Sequence, residues 1–195
     1  MQQRLTIICK HIETRLLKKI AQGNHRAFHR LYVLYKDKVY HTAIGYLQNI
    51  EEAEEITQDV FLTIYNKAET FRGKSKVSTW IYRITINKAL NQLEKRKRLP
   101  LSGSEIQESH SVDFNHPGIQ LENQEKAWFL LTAIDKLPAN QKTAFILSYI
   151  EGLPRHEVGN IMGVTLKSIE GLLQRAKSQL RKQLISIYPE GKSKK

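Results

Sequence analysis

The sequence predicts an all-α protein built as two small helical domains joined by a flexible linker. Three observations carry this. Apolar residues recur at three- and four-residue spacing along most of the chain, and no run alternates long enough to argue for a sheet. The stretch 99–121 interrupts that pattern with Pro100, Pro117, two glycines, several serines and only acidic charges, Glu105, Glu108 and Asp113. At 23 residues it is too short for a domain, and its composition is that of a linker. Finally, Gly152–Lys182 has the spacing of a helix-turn-helix. The expected organisation is a first domain over 1–98, the linker over 99–121, a second domain over 122–188 and a basic tail over 189–195.

The elements follow in order. Ile12, Leu16 and Ile20 begin an apolar stripe that Gly23-Asn24 closes as a helix C-cap. Phe28, Leu31, Tyr32, Tyr35, Val39, Ala43, Tyr46 and Leu47 form the next stripe. Asn49-Ile50-Glu51-Glu52 then sets a capping side chain and a carboxylate at box spacing. The helix it opens should bury Ala53, Ile56, Val60 and Ile64. Residues 71–76 read as a basic loop before a long helix, Val77–Arg98. In that helix Val77, Ile81 and Ile84 face one way, whereas Ile86, Ala89, Leu90 and Leu93 face nearly the opposite way. Such a change of side implies different packing neighbours at its two ends. Periodicity resumes at Glu122, with Trp128, Leu131, Ile134 and Leu137, then Ala144, Ile146, Leu147 and Ile150.

A net charge of +12 calls for a polyanionic partner, nucleic acid first among them, although a ribosome-associated protein or a merely basic surface would carry the same charge. Cys9 is the single cysteine, which excludes an internal disulfide; it reads as a small apolar residue in a reducing, cytoplasmic setting. No run approaches the ~18 apolar residues of a membrane helix, and no secretory signal opens the chain.

The helix-turn-helix carries the sharper chemical signal. Pro154 suits a first helical turn, Val158, Ile161 and Met162 give that helix a buried face, and Gly163 supplies the left-handed turn residue. Val164 is expected under the turn, and Thr165 caps a helix with Ile169, Leu172, Leu173, Ala176 and Leu180 on one side. Lys167, Gly171, Gln174, Arg175, Ser178 and Arg181 lie opposite. Amide, hydroxyl and cationic groups on that face suit the edges of bases in a major groove. Glu170, at the edge of the stripe, would repel phosphate and could accept from a cytosine amine.

A different surface runs along Val77–Arg98. Trp80, Arg83, Asn87, Asn91 and Arg98 recur on one face, offering flat rings, amides and guanidinium groups to unstacked bases. Large aromatics in amphipathic helices usually pack, so the core competes with stacking as the place of Trp80. Lys95–Arg98 reads as a phosphate grip. Glu51, Glu52, Glu54, Glu55 and Asp59 cluster on one helix of an otherwise basic chain; they favour the helix dipole, or else form a docking face for a basic partner.

At this point the chain resembles the extracytoplasmic-function sigma factors of bacterial RNA polymerase. Leu16–Arg98 is similar to their region 2 through Leu17–Gly23 with Ala27-Phe28, Ala53-Glu54-Glu55 with Gln58-Asp59-Val60-Phe61, Phe71-Arg72-Gly73, and Thr79–Ile84 with Asn87. Glu122–Leu184 is similar to region 4 through Leu137-Pro138, Glu151-Gly152-Leu153, Gly163-Val164-Thr165 and Gln174–Lys177. The resemblance implies that Glu55, Gln58, Asp59, Val60 and Phe61 bind core polymerase, which reverses the dipole-only reading of the acidic helix. It implies that Arg72, Lys74, Lys76, Trp80, Arg83, Asn87, Asn91, Lys95 and Arg98 melt and hold the −10 element. Thr165, Lys167, Ser168, Gly171, Gln174, Arg175 and Ser178 would read the −35 element as duplex. Many members carry aspartate where Asn91 stands and basic residues where Glu170 and Leu172 stand, so the resemblance implies the −35 role without a sequence preference. Many are also held by a membrane-spanning anti-sigma factor, a partner class that this sequence neither names nor requires.

The linker sets a length condition. Fully extended, it reaches ~75–80 Å; as a relaxed coil it averages ~25–30 Å. Promoter elements of this class lie more than one DNA turn apart, and a turn is ~34–36 Å. The span is reachable only when something holds the linker stretched, which predicts weak promoter binding by the free chain. Two rival classes compete with this reading. For an enzyme, His25/His29 is the one histidine pair with ligand spacing and lacks a third ligand nearby; no P-loop, zinc-type cysteine pair or hydrolase signature is present, and no metal or cofactor is expected. An ordinary helix-turn-helix regulator accounts for Gly152–Lys182 but not for the Phe71–Arg98 surface or the acidic helix.

Overall fold

A computed structural model describes residues 2–98 and 129–187, with side chains described from 12 to 98 and from 129 to 185. The linker, the start of the second domain with Trp128, the basic tail and the Cys9 side chain lie outside the described residues. Among those described, every regular element is helical. The first half consists of α1 (Gln2–Ala21), α2 (His25–Leu47), α3 (Ile50–Lys67) with a 3₁₀ turn at Ala68–Thr70, and α4 (Val77–Arg98). The second consists of a helical run over 129–135 (α5), α6 (Ala139–Phe145) ending in a π turn at Ile146–Ile150, α7 (Arg155–Met162) and α8 (Leu166–Ile187).

The punctuation follows the residues that supply it. Gly23 takes φ +78° between α1 and α2, a conformation that costs glycine least. Asn24 then caps α2 by accepting from Ala27 N at 2.9 Å. Asn49 caps α3 by accepting from Glu52 N at 2.8 Å, but the expected capping box is only half formed. The Glu52 carboxylate instead takes the Arg96 guanidinium of α4, a charge-assisted pair stronger than the backbone bond it replaces.

Leu17, Ile20, Leu31, Val39, Ala53, Val60, Ile64, Val77 and Ile81 form the centre of the first half. Ile12, 52 % exposed, and Tyr32, 39 % exposed, fall outside the core their stripes suggested. Ile12 is succeeded on the inner face by Leu16 and Leu17. Tyr32 lies at the edge of its helix, its ring against that of Phe61 at 4.8 Å.

The change of side along α4 has a plain cause. This helix packs against α2 and α3 and, on a further side, against α7 of the second half. The buried cluster accordingly runs from one half into the other. Gly45 of α2 marks the crossing: a Cβ there would lie 3.4 Å from the Ile146 side chain of the π turn. Ile146 and Leu147 are buried, whereas Ile150, at 41 % exposed, is outside the core expected for it. The π turn, with Glu151 N bonded to Ile146 O, moves the later residues off the α-helical stripe.

Candidate nucleic-acid and polymerase interface

On α3, Glu55, Gln58 and Asp59 are exposed together with Glu54 and Leu62. Val60 and Phe61 are not: they are 0 % and 3 % exposed. This corrects their place among docking contacts, since a side chain sealed in the core meets no partner. Phe61 packs edge-on against Phe28 and Tyr32 and holds α3 against α2. Asp59 accepts from Lys88 Nζ of α4 at 3.0 Å.

The loop before α4 turns at Gly73, with φ +68°, and leaves Arg72 and Lys74 exposed. Trp80 is half-buried, its ring centroid 5.4 Å from that of Phe71, so it is both packed and partly open. Asn87, Asn91, Lys95 and Arg98 are exposed along the same helix, Arg98 lying 3.4 Å from Glu94. Lys76 and Arg83 are engaged elsewhere. Lys76 Nζ pairs with Glu157 at 2.5 Å, and Arg83 donates to Ile161 O at 2.9 Å and to Asn160 O at 2.7 Å, all on α7.

In the second half Gly163 takes φ +70° at the end of α7, as its place in the turn requires. Val164 corrects an expectation: it is 40 % exposed instead of packed under the turn. The turn closes on Gly159, where a Cβ would come 2.9 Å from Val164 O. Only a glycine allows that approach, which nothing in the apolar pattern signals. Thr165 caps α8, accepting from Ser168 N at 3.2 Å. Ile169, Leu173, Ala176 and Leu180 are buried beneath it. Lys167, Ser168, Gln174, Arg175, Ser178 and Arg181 are exposed, with Gly171 half-buried among them. Glu170 faces Arg155 at 3.6 Å, an exposed pair.

Sequence reasoning did not find the polar seam between the halves. Tyr46, fully buried, donates to the Thr143 hydroxyl, which in turn donates to Ala139 O at 2.9 Å. Lys142, its side chain 4 % exposed, donates to Tyr46 O at 2.9 Å and pairs with Asp135 at 2.7 Å. Burial pulls its ammonium below the usual lysine value, against the opposing pull of Asp135. Tyr82 donates to the Glu151 carboxylate at 2.9 Å, and burial raises that carboxyl above its ordinary value of 4.5. A charged residue in a local pattern reads as solvated; only the tertiary approach of the halves buries these.

Of the His25/His29 pair, His25 stacks on Tyr65, ring centroids 6.0 Å apart. Among the described residues no group of three His, Cys, Asp or Glu side chains converges on a metal-sized site, and no helix is long and apolar enough to cross a membrane.

Comparison with known proteins addresses both halves. Residues 31–99 match the family model of Sigma-70 region 2, and residues 130–180 match that of Sigma-70 region 4. The chain is 30 % identical over 176 residues to the ECF RNA polymerase sigma factor SigW of Bacillus subtilis, covering 86 % of this chain and 94 % of that one. The chain belongs to the ECF sigma factors.

Other relatives agree with that placement. The ECF RNA polymerase sigma-E factor of Escherichia coli K12 is 26 % identical over 174 residues, 85 % of this chain and 90 % of the relative. In fold, the sigma factor resembles CnrH, solved with the cytosolic domain of CnrY, at TM-score 0.67 and 20 % identity over 90 % of this chain and 98 % of that chain. It also resembles the sigma factor RpoE of Bartonella quintana, solved with the anti-sigma factor NepR, at TM-score 0.59 and 22 % identity over 80 % and 96 % of the two chains. The region 2 match covers α3 and α4, the elements an ordinary helix-turn-helix regulator leaves unexplained. As a sigma factor, the chain partners core RNA polymerase and directs promoter-specific initiation.

Proposed function

We propose that Glu55, Gln58 and Asp59 on α3 form the docking contact for core polymerase, with Val60 and Phe61 positioning them from below. The single observation behind this is the exposed acidic face of a helix in a chain of net charge +12. Arg72, Lys74, Lys76, Trp80, Arg83, Asn87, Asn91, Lys95 and Arg98 hold the −10 element as an opened strand. Trp80 supplies a stacking face, the asparagines hydrogen bonds and the cations phosphate contacts. Thr165, Lys167, Ser168, Gly171, Gln174, Arg175 and Ser178 meet the −35 element as duplex, α8 lying in the major groove.

In this reading the domains are 1–98 for docking and the −10 element and 122–188 for the −35 element, joined by 99–121. The chain itself breaks and forms no covalent bond; the polymerase does the chemistry. It works in the cytoplasm, where its partners are. The test is transcription by bacterial core polymerase on a randomised promoter library, with and without the chain. Transcripts that need the chain and share two spaced upstream elements support the reading. Their absence, with a control sigma factor active, refutes it.

A further inference from the structure

The first residue of α8 has a side chain that the fold does not use. Val158, Ile161, Ile169 and Leu173 of the helix-turn-helix are buried. Leu166, which opens α8, is 49 % exposed and stands outside the buried cluster and the side chains packed on it. It lies beside the exposed Lys167 and Ser168, and the buried stripe of α8 starts only at Ile169.

The backbone that carries Leu166 is held on both sides. Val164 N donates to Gly159 O at 3.1 Å, Ser168 N to the Thr165 hydroxyl at 3.2 Å, and Ile169 N to Thr165 O at 3.1 Å. The side chain therefore leaves the helix from a fixed place. Glu170, its neighbour one turn on, faces Arg155 of α7 at 3.6 Å, which offsets the negative charge on that side of the helix.

In a helix-turn-helix the N-terminal residues of the second helix meet base edges in the major groove. Leucine brings no donor or acceptor to such an edge. Of the four bases only thymine shows an apolar group there, its 5-methyl, whereas the others show nitrogen and oxygen. We propose that Leu166 reads one thymine of the −35 element through that methyl group. The inference rests on the −35 assignment above and deepens it by naming a base.

The test uses the full chain with core polymerase and the −35 element recovered from the promoter library. Each thymine of the element is replaced in turn by deoxyuridine, which lacks only the methyl. Burying one such group is worth ~4-fold in affinity, so at one position the deoxyuridine duplex should compete ~3–10-fold less well for the parent. Leu166→Ala should lose about as much on the thymine duplex and should no longer tell thymine from deoxyuridine at that position. Alanine is a good helix former at an exposed site, so the melting temperature should match the parent's. Leu166→Gln should move the preference at that position from thymine to adenine, which a glutamine amide grips with two hydrogen bonds.

An element without thymine overturns the proposal. So does a parent indifferent to methyl removal at every position, or a Leu166→Ala protein that still discriminates as the parent does. If Arg175→Ala also leaves −35 duplex competition unchanged, the −35 assignment itself fails, which is a separate result from the loss of Leu166 as a reader.

Discussion

The Asp59 carboxylate accepts from Lys88 Nζ at 3.0 Å, linking the acidic face of α3 to the basic helix α4. Asp59 is half in solvent, its side chain 51 % exposed. Exposed ion pairs contribute about 0–1 kcal/mol. Asp59→Ala should therefore leave the melting temperature nearly unchanged while weakening core polymerase binding ~10-fold or more. Calorimetry and a polymerase-binding titration on the same preparation separate the two. Unchanged polymerase affinity would remove Asp59 from the docking face.

Arg175 stands on the exposed face of α8, above Gly171, whose Cβ position lies 3.6 Å from one guanidinium nitrogen. Arg175→Ala should cost about 1–3 kcal/mol of −35 duplex contact, as expected for an arginine at a base edge. Core polymerase affinity should stay as in the parent. A −35 duplex competition in the presence of polymerase reads the first effect, and loss of both together would point to misfolding.

Two glycines of the helix-turn-helix should respond differently to alanine. At Gly163 a Cβ meets nothing within 4 Å, so the cost is that of the left-handed backbone, about 1–2 kcal/mol. At Gly159 the backbone is helical and alanine would favour the helix by about 1 kcal/mol. There, however, the Cβ would press on Val164 O at 2.9 Å, and a main-chain atom cannot swing away. Gly159→Ala should thus be the more harmful of the two in thermal denaturation. A Gly159→Ala protein as stable as the parent would show that the turn tolerates a wider spacing.

Glu151 gives the seam a pH dependence. Burial raises its carboxyl above 4.5, opposed by the Tyr82 hydrogen bond and by the charges of His41 and Lys38 from α2. A raised value in the closed chain means that closed binds the proton more tightly than open. Lowering the pH through the window just above 4.5 therefore favours closure, and raising it through that window weakens closure. Small-angle scattering across that window should show the parent contracting as pH falls, whereas Glu151→Gln should lose most of the dependence. A parent envelope that does not change with pH there would mean that Glu151 stays solvated.

Much of this was legible in the sequence, for reasons that particular residues make plain. Leu31, Val39, Ile56, Ile64, Ile169 and Leu173 are buried because a helical stripe has one way to leave water. Gly23, Asn24, Asn49, Gly163 and Thr165 mark ends because backbone conformation and capping are local. The exposed cations and amides of α8 were legible for the same reason. The burial of Lys142 was not, because its partner Tyr46 lies in the other half, 96 positions away, even though Asp135 is only seven residues before it. Nor was the engagement of Lys76 and Arg83: a cation on a wet face and a cation bonded across a seam look alike in a helical pattern. Phe61 misled in the opposite direction, sharing a motif with exposed neighbours while its ring points inward.

Tyr46 and Thr143, hydrogen-bonded across the seam, are 97 positions apart on a single polypeptide. Covalent linkage of that kind makes their meeting an intramolecular event, independent of the protein's concentration. Diluting the protein therefore does nothing to part the halves, and a contact of only modest intrinsic affinity suffices to keep them together. A competitor for either surface, or a change of charge at Glu151, can still shift the balance.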